Sequence, residues 1–143
     1  MCHNLGGSSE TDHGNYYQWG TNSTTWVSGY TAPDNAWSDS QKTASDPCPS
    51  GWRVPTYAVW TKVRTVPSVW DDTKKGRNLD GTLFLPAAGY KDTAGATLVG
   101  IVGYYWGSTP NGTGSWDLYF NSSGIDMGYS NHHLGYSVRC VAE

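Results

Sequence analysis

From Trp116 to Asn121 apolar and polar residues alternate. Trp116, Leu118 and Phe120 fall on one side of an extended chain, and Asp117, Tyr119 and Asn121 on the other. That period of two predicts a strand with its first set toward a core and its second toward water. Asn121-Ser122-Ser123-Gly124 tolerates positive φ and predicts a hairpin into a strand over Gly124 to Met127. Leu83-Phe84-Leu85, Gly103 to Trp106 and Tyr136 to Val141 read as further strands between turn residues. Trp106, Leu118, Phe120 and Val138 are the candidate core of this half.

The first half is patterned differently. Met1 to Asp46 is punctuated by Gly, Ser, Thr, Asn and Asp around single rings such as Tyr17, Trp19, Trp26 and Trp37. It predicts irregular loop pinned by aromatic residues, with one helical turn near Tyr17. Pro47, Pro49 and Gly51 force a turn before a short strand at Trp52-Arg53-Val54. Thr56 is a natural N-cap, and Ala58, Val59, Val63 and Val66 recur at helical spacing up to Pro67. Asp71 to Asp80 is charged and predicts a solvated loop. No repeat or linker interrupts the chain, so residues 1–143 read as one domain.

Composition narrows the function. Trp and Tyr dominate the aromatic residues (8 and 10, against 2 Phe), Gly reaches 18, and charged residues are only 15%. An ordinary soluble domain carries roughly 25% charged residues, so this chain relies on amphipathic rings and turns. The formal net charge is −3 and no basic run exceeds Lys74-Lys75, which argues against nucleic acid or an anionic membrane as partner. No apolar stretch is long enough for a membrane helix, so this domain is not expected to insert.

Catalytic and metal chemistry find little support. His132 and His133 are adjacent, so on a strand they face opposite ways and serve one metal poorly. No carboxylate pair lies in apolar sequence that would raise a pKa. Asp34-Asn35 with Asp39 could offer oxygen ligands to calcium, but loop Asx-turns explain them equally well. The expectation is a protein with no metal, no cofactor and no enzymatic activity. Among Cys2, Cys48 and Cys140, a Cys48–Cys140 bridge is favoured; three reduced thiols in a cytosolic protein is the alternative. Tyr104 to Tyr136, by contrast, has the Tyr, Trp, Ser, Gly and Asn composition of an antibody paratope.

DPCPSGWRVPTYAVW (Asp46 to Trp60), LFLPAAGY (Leu83 to Tyr90), GYYWGSTP (Gly103 to Pro110) and LYFNSSGI with GYSVRCV (Leu118 to Val141) resemble the Fibrobacter succinogenes major paralogous domain. That resemblance implies a C-type-lectin-like α+β domain with one helix, a small twisted antiparallel sheet and long irregular loops. It also implies the Cys48–Cys140 bridge and leaves Cys2 odd. MCHNL (Met1 to Leu5) is similar to the family's Trp-Met-x-x-Asn-Leu segment without its Trp. Met1 therefore reads as an internal residue, with a signal peptide or stalk upstream. Val59 and Gly107 stand where the family usually has Glu and Ser. The Glu-Pro-Asn or Gln-Pro-Asp motif of calcium-dependent sugar binding is missing, as are the reactive cysteines of the related formylglycine-generating enzymes.

The C-terminal stretch also resembles the variable region of proteins diversified by retroelements that rewrite adenines, typically at AAY codons. Such rewriting never yields Lys, Glu or Gln, and Asp92 to Ala142 contains none. The function expected is thus a binding or adhesion domain on a bacterial cell surface, facing a protein or glycan on another cell or host. Its exposed face would be Asp117, Tyr119, Asp126, Tyr129, Asn131, His132, His133 and Tyr136. The alternatives are a phage tail receptor-binding domain and a formylglycine-generating-type or carbohydrate-active enzyme.

Overall fold

The computed structural model describes residues 1–143, and its regular structure is almost all short strands. In chain order they are β1 (Tyr17–Gln18), β2 (Trp52–Arg53), β3 (Ser68–Asp71), β4 (Gly76–Leu79), β5 (Leu83–Pro86) and β6 (Tyr90–Asp92). The second half adds β7 (Gly95–Thr97), β8 (Gly103–Asn111), β9 (Gly114–Phe120), β10 (Ile125–Asn131), β11 (Gly135–Tyr136) and β12 (Val141–Ala142). A single helix, α1 (Tyr57–Thr65), lies between β2 and β3. These strands form four small sheets, ordered β1-β11-β6-β7, β10-β9-β8, β12-β2 and β3-β4-β5. The α+β expectation is therefore corrected. One nine-residue helix against twelve strands makes this a small β-rich domain. The apolar spacing around Val59 and Val63 is real, but Pro67 stops the helix after little more than two turns.

α1 begins where the sequence says it should. The Thr56 hydroxyl accepts a hydrogen bond from the Val59 amide (3.2 Å), and Trp60 is the side chain it buries. Replacing Thr56 with Ala should cost about 1 kcal/mol, read as a lower urea midpoint with an unchanged slope.

The central element is the antiparallel meander β8–β9–β10, covered on both sides. On one side Tyr105, Leu118 and Phe120 pack with Trp60, Leu79 and Leu85 beneath the helix. Gly103 is required there, because a Cβ on it would sit 2.1 Å from the Phe120 ring. On the other side Trp106 and Tyr136 join Trp19, Trp37, Val54, Val138 and the Cys48–Cys140 disulfide. Trp106, Leu118, Phe120 and Val138 are all buried, as the sequence indicates. The buried indoles also find acceptors: Trp19 on Gly107 carbonyl (2.9 Å), Trp60 on Trp106 carbonyl (3.0 Å) and Trp106 on Tyr17 carbonyl (2.7 Å). These bonds fix ring orientation without leaving a buried donor unpaired.

Three local expectations change. The turn near Tyr17 is strand β1, which pairs with β11 through Tyr17 opposite Tyr136. Asp71 to Asp80 is largely a β-hairpin, with β3 and β4 joined across Asp71 and Gly76. Its Arg77 is buried and donates to Ser68 Oγ and the Asn121 carbonyl (both 3.0 Å). Tyr136 to Val141 is not one strand: β11 and β12 take its ends, Ser137 bridges Tyr105 of β8 in parallel, and Arg139 turns inward to Asn4 and the Phe84 carbonyl. No helix is long and apolar enough to cross a membrane.

Candidate functional site

Register decides which of the predicted residues share a surface. Across the meander Tyr104 lies opposite Tyr119 and Asp126, Trp106 opposite Asp117 and Gly128, and Ser115 opposite Ser130. All of these project from one face, since residues directly across neighbouring strands point the same way. Tyr136 is laid over that face from β11, stacked on Tyr104 (4.7 Å between ring centres) and on Trp106 (4.3 Å). Its hydroxyl donates to Ser130 Oγ at 2.7 Å. His132 closes the end of the face, its Nε2 2.8 Å from Ser115 Oγ and its ring stacked on Trp19. Asp117, Tyr119, Asp126, His132 and Tyr136 are thus brought together.

The remaining predicted positions are not part of that cluster. Tyr129, opposite Trp116, belongs to the other side of the sheet, where Trp116 bridges it to Tyr57 at the start of α1. It is 67% exposed. Asn131 ends β10 and bonds the His133 amide, while the His133 carbonyl accepts from Gln18. The expected face is therefore two surfaces, because a strand turns successive side chains to opposite sides.

Two positions expected in water are buried. Asp117 is 1% exposed and Tyr136 2%. Strand parity does set Asp117 apart from Leu118 and Phe120, yet its side is roofed by Tyr136, which arrives from the far side of a turn. Sequence reasoning also passed over Tyr90 and Tyr104 as individual residues. Tyr90 meets Tyr104 and Tyr136 edge-on, and Tyr104 lies 5.1 Å from Tyr119. Tyr90, Tyr104 and Tyr119 are half-buried, so each offers part of a ring to solvent. The available signal was the Tyr104–Tyr119 cross-strand pairing, readable once the β8–β9 register is known.

Electrostatics single out Asp117. Burial pushes its carboxyl up to about 7, a shift the nearby Ser130 side chain partly offsets. Ser130 stands close but falls short of hydrogen-bond geometry, so neither Asp117 oxygen has a partner. Burial likewise raises the Tyr104 phenol, reinforced by Tyr119, Asp117 and Tyr90, and raises the Tyr136 phenol. His132 is held below its ordinary value by burial, with the Gly114 backbone acting the other way. Asp126 is exposed and ion-paired with Arg64 of α1. A hydrogen bond from the Met127 amide, followed by that guanidinium, keeps its carboxyl below the usual range.

A cleft of about 280 Å³ continues from His132, between Trp19, Pro33, Asp34, Asn35 and Pro110. Asp39 does not join Asp34 there; its carboxylate accepts from the Ser108 and Thr109 hydroxyls (2.6 and 2.8 Å). The Ser115–His132 contact has the length of a nucleophile–base pair, but Ser115 is fully buried. What this arrangement exposes is part of the rings of Tyr90, Tyr104 and Tyr119; the Asp117 carboxylate beneath them is closed to solvent.

The sheet and its tyrosines lie within a recognised stretch. A family model described as a domain of unknown function, DUF8237, matches residues 62–141, more than half of the chain. The chain belongs to this family. The DUF8237 stretch runs from within α1 into β12 and so contains Tyr90, Tyr104, Asp117, Tyr119, His132 and Tyr136. Trp19 and Cys48 lie before it. No curated protein and no solved structure matches the chain.

Proposed function

We propose that this chain is a ligand-binding domain that recognises a protein or glycan through the tyrosine face of β8–β9–β10. The observation that carries the reading is the convergence of Tyr90 and Tyr136, from β6 and β11, on Tyr104 and Tyr119 of the meander, beside Ser130, Asp117 and His132. Packing of the core accounts for Tyr136 but leaves the half-exposed rings unexplained. Tyrosines of this kind give large contact area at low entropy cost, and a few such anchors carry most of an interface's energy. The disulfide supports an oxidising, extracellular setting. The resemblance to retroelement-diversified proteins supports a surface whose side chains vary while the sheet does not, on a bacterial cell.

Arrays of purified surface proteins and glycans test this reading. Tyr119→Ala removes a half-exposed ring whose hydroxyl is held only by the Asn121 amide (2.8 Å), so the fold should persist. Binding should weaken at least tenfold in this variant, corresponding to about 1.4 kcal/mol. Tyr129→Ala, on the opposite side, should bind as the parent does. The reverse pattern would move the site to the Tyr57–Trp116–Tyr129 row.

A further inference from the structure

The cleft beyond His132 lies outside the tyrosine face and has two rigid sides. At about 280 Å³ it is at the small end of ligand sites, enough for one ring-sized group and too little for a folded partner's surface. On one side the His132 ring lies nearly parallel to Trp19 (12° between planes), with its Nε2 held 2.8 Å from Ser115 Oγ. Trp19 is fixed in turn, its indole donating to the Gly107 carbonyl and its amide to the His132 carbonyl (3.1 Å). On the other side a turn runs from Pro33 to Ala36, closed by the Ala36 amide on the Pro33 carbonyl (3.2 Å). Ala36 is buried against Gly20, where an added Cβ would lie 2.7 Å from that of Ala36. Asn35 takes a φ of 56°, a left-handed conformation that Asn tolerates better than most residues. The turn leaves Asp34 and Asn35 exposed side by side. Polar groups around them are spent within the fold, Thr43 on the Ala36 carbonyl and Asp39 on Ser108 and Thr109, whereas the Asp34 and Asn35 side chains bond nothing in the chain.

The lining decides the chemistry. Pro33 and Pro110 add C–H surface beside the His132 ring, and Asp34 is the one acidic or basic side chain other than His132. Burial holds His132 below its ordinary value, so the imidazole is neutral at pH 7. With no cation, the cleft has nothing to pair with a phosphate or a carboxylated sugar. One carboxylate is also far short of the roughly six to eight oxygens that calcium takes. A sugar hydroxyl both donates and accepts; the Asp34 carboxylate accepts and the Asn35 amide does both. We infer that this cleft is a monosaccharide subsite for one neutral pyranose of a glycan, with Asp34 and Asn35 on adjacent hydroxyls and His132 and the prolines against its C–H face. A peptide side chain of similar size offers one polar group at most, where a pyranose sets several next to one another. Gly112, in the turn between β8 and β9, leaves the mouth open, since a Cβ there would meet nothing within 4 Å. The rest of a glycan chain can leave on that side. This subsite shares only His132 with the tyrosine face and stands independently of it.

The test titrates the full chain with the methyl glycosides of glucose, galactose, mannose and N-acetylglucosamine, and with that of N-acetylneuraminic acid as the charged control. NMR follows the Asn35 side-chain amide and the Gly112 backbone amide. At least one neutral glycoside should shift both signals saturably, with a Kd on the order of 1 mM for so small a ligand, and the acidic one should shift neither. Asp34→Ala with Asn35→Gly removes both polar groups, and Gly accepts the left-handed backbone at position 35, so the turn should hold. Affinity read at Gly112 should then fall at least tenfold, while Tyr119→Ala should bind the glycoside as the parent does. Silence with every neutral glycoside, equal binding of the acidic one, or unchanged affinity in the double variant would overturn the assignment. The glycoside panel needs no variant, so a misfolded double variant would not remove the test. If the double variant loses a protein ligand on the arrays while all glycosides are silent, the cleft is a peptide site and the sugar subsite is refuted. If glycosides bind here while Tyr119→Ala leaves array binding intact, the subsite stands and the tyrosine face falls.

Discussion

Replacing Asp117 with Asn should make the chain more stable above about pH 7, by up to about 4 kcal/mol, and should flatten its stability between about pH 4 and 7. In the unfolded chain the carboxyl ionises near its ordinary value of 3.8, and in the folded chain near 7. Between those values the folded state holds a proton the unfolded state has released. Stability contributed by this group is therefore present in acid and lost as pH rises. The cause is geometric: the side chain is buried between Trp106 and Gly128 under Tyr136, with no donor on either oxygen. Asn keeps the shape and removes the charge. His132 gives the opposite slope, since burial lowers its affinity for protons and it destabilises the fold as acid charges it. The difference between parent and variant therefore isolates Asp117. Urea unfolding at a series of pH values checks the point, and parallel pH profiles for the two proteins would refute it.

That same carboxylate marks how far the sequence could be read. Alternation over Trp116 to Asn121 correctly separates Asp117 from Leu118 and Phe120, because pleat geometry is local. What covers the second side is not local. Tyr136 and Tyr104 arrive from two other strands beside Asp117, with Tyr90 edge-on to both from a third, and only the pairing brings them together. The Thr56 cap and the Asn121–Gly124 hairpin were legible for the same reason: a cap and a tight turn are specified by a few neighbouring residues. Asp71 to Asp80 misled because Asp71, Asp72, Lys74 and Lys75 are concentrated around a turn. The Asp71 carboxylate there accepts from the Thr73 and Lys74 amides, while the flanking strands are short and carry buried Arg77. The fold class failed on a related point. A capped helix was visible, but that so many two- to four-residue segments would pair was not, since each depends on a partner remote in sequence. Of the candidate site, single residues could be named; their division between two sides of the meander could not.

Removing the Cys48–Cys140 bridge should be the most damaging change outside the binding face. The two cysteines are 92 residues apart, and in the chain-entropy model a loop of that size contributes about 4 to 5 kcal/mol by restricting the unfolded chain. That is a large share of the roughly 5 to 15 kcal/mol by which a domain is stable. Local structure around the bridge compounds the effect. The Asp46 carboxylate accepts from the Cys48 and Val54 amides (both 2.9 Å), and Lys42 donates to Asp46 and to the carbonyls of Cys48 and Trp52. This knot is buried beside Trp37, Trp106 and Val138, so the disulfide joins the loop-rich first half to the aromatic core under the tyrosine face. Cys48→Ala with Cys140→Ala should lower the urea midpoint sharply, and a reducing agent should do the same to the parent. Cys2 is exposed and unbridged, so Cys2→Ser should leave the midpoint within about 0.5 kcal/mol of the parent. If the tyrosine face depends on this brace, the double variant should also lose ligand before it loses secondary structure. Circular dichroism and array binding on the same samples would show the order, and simultaneous loss would place the brace in the global fold instead.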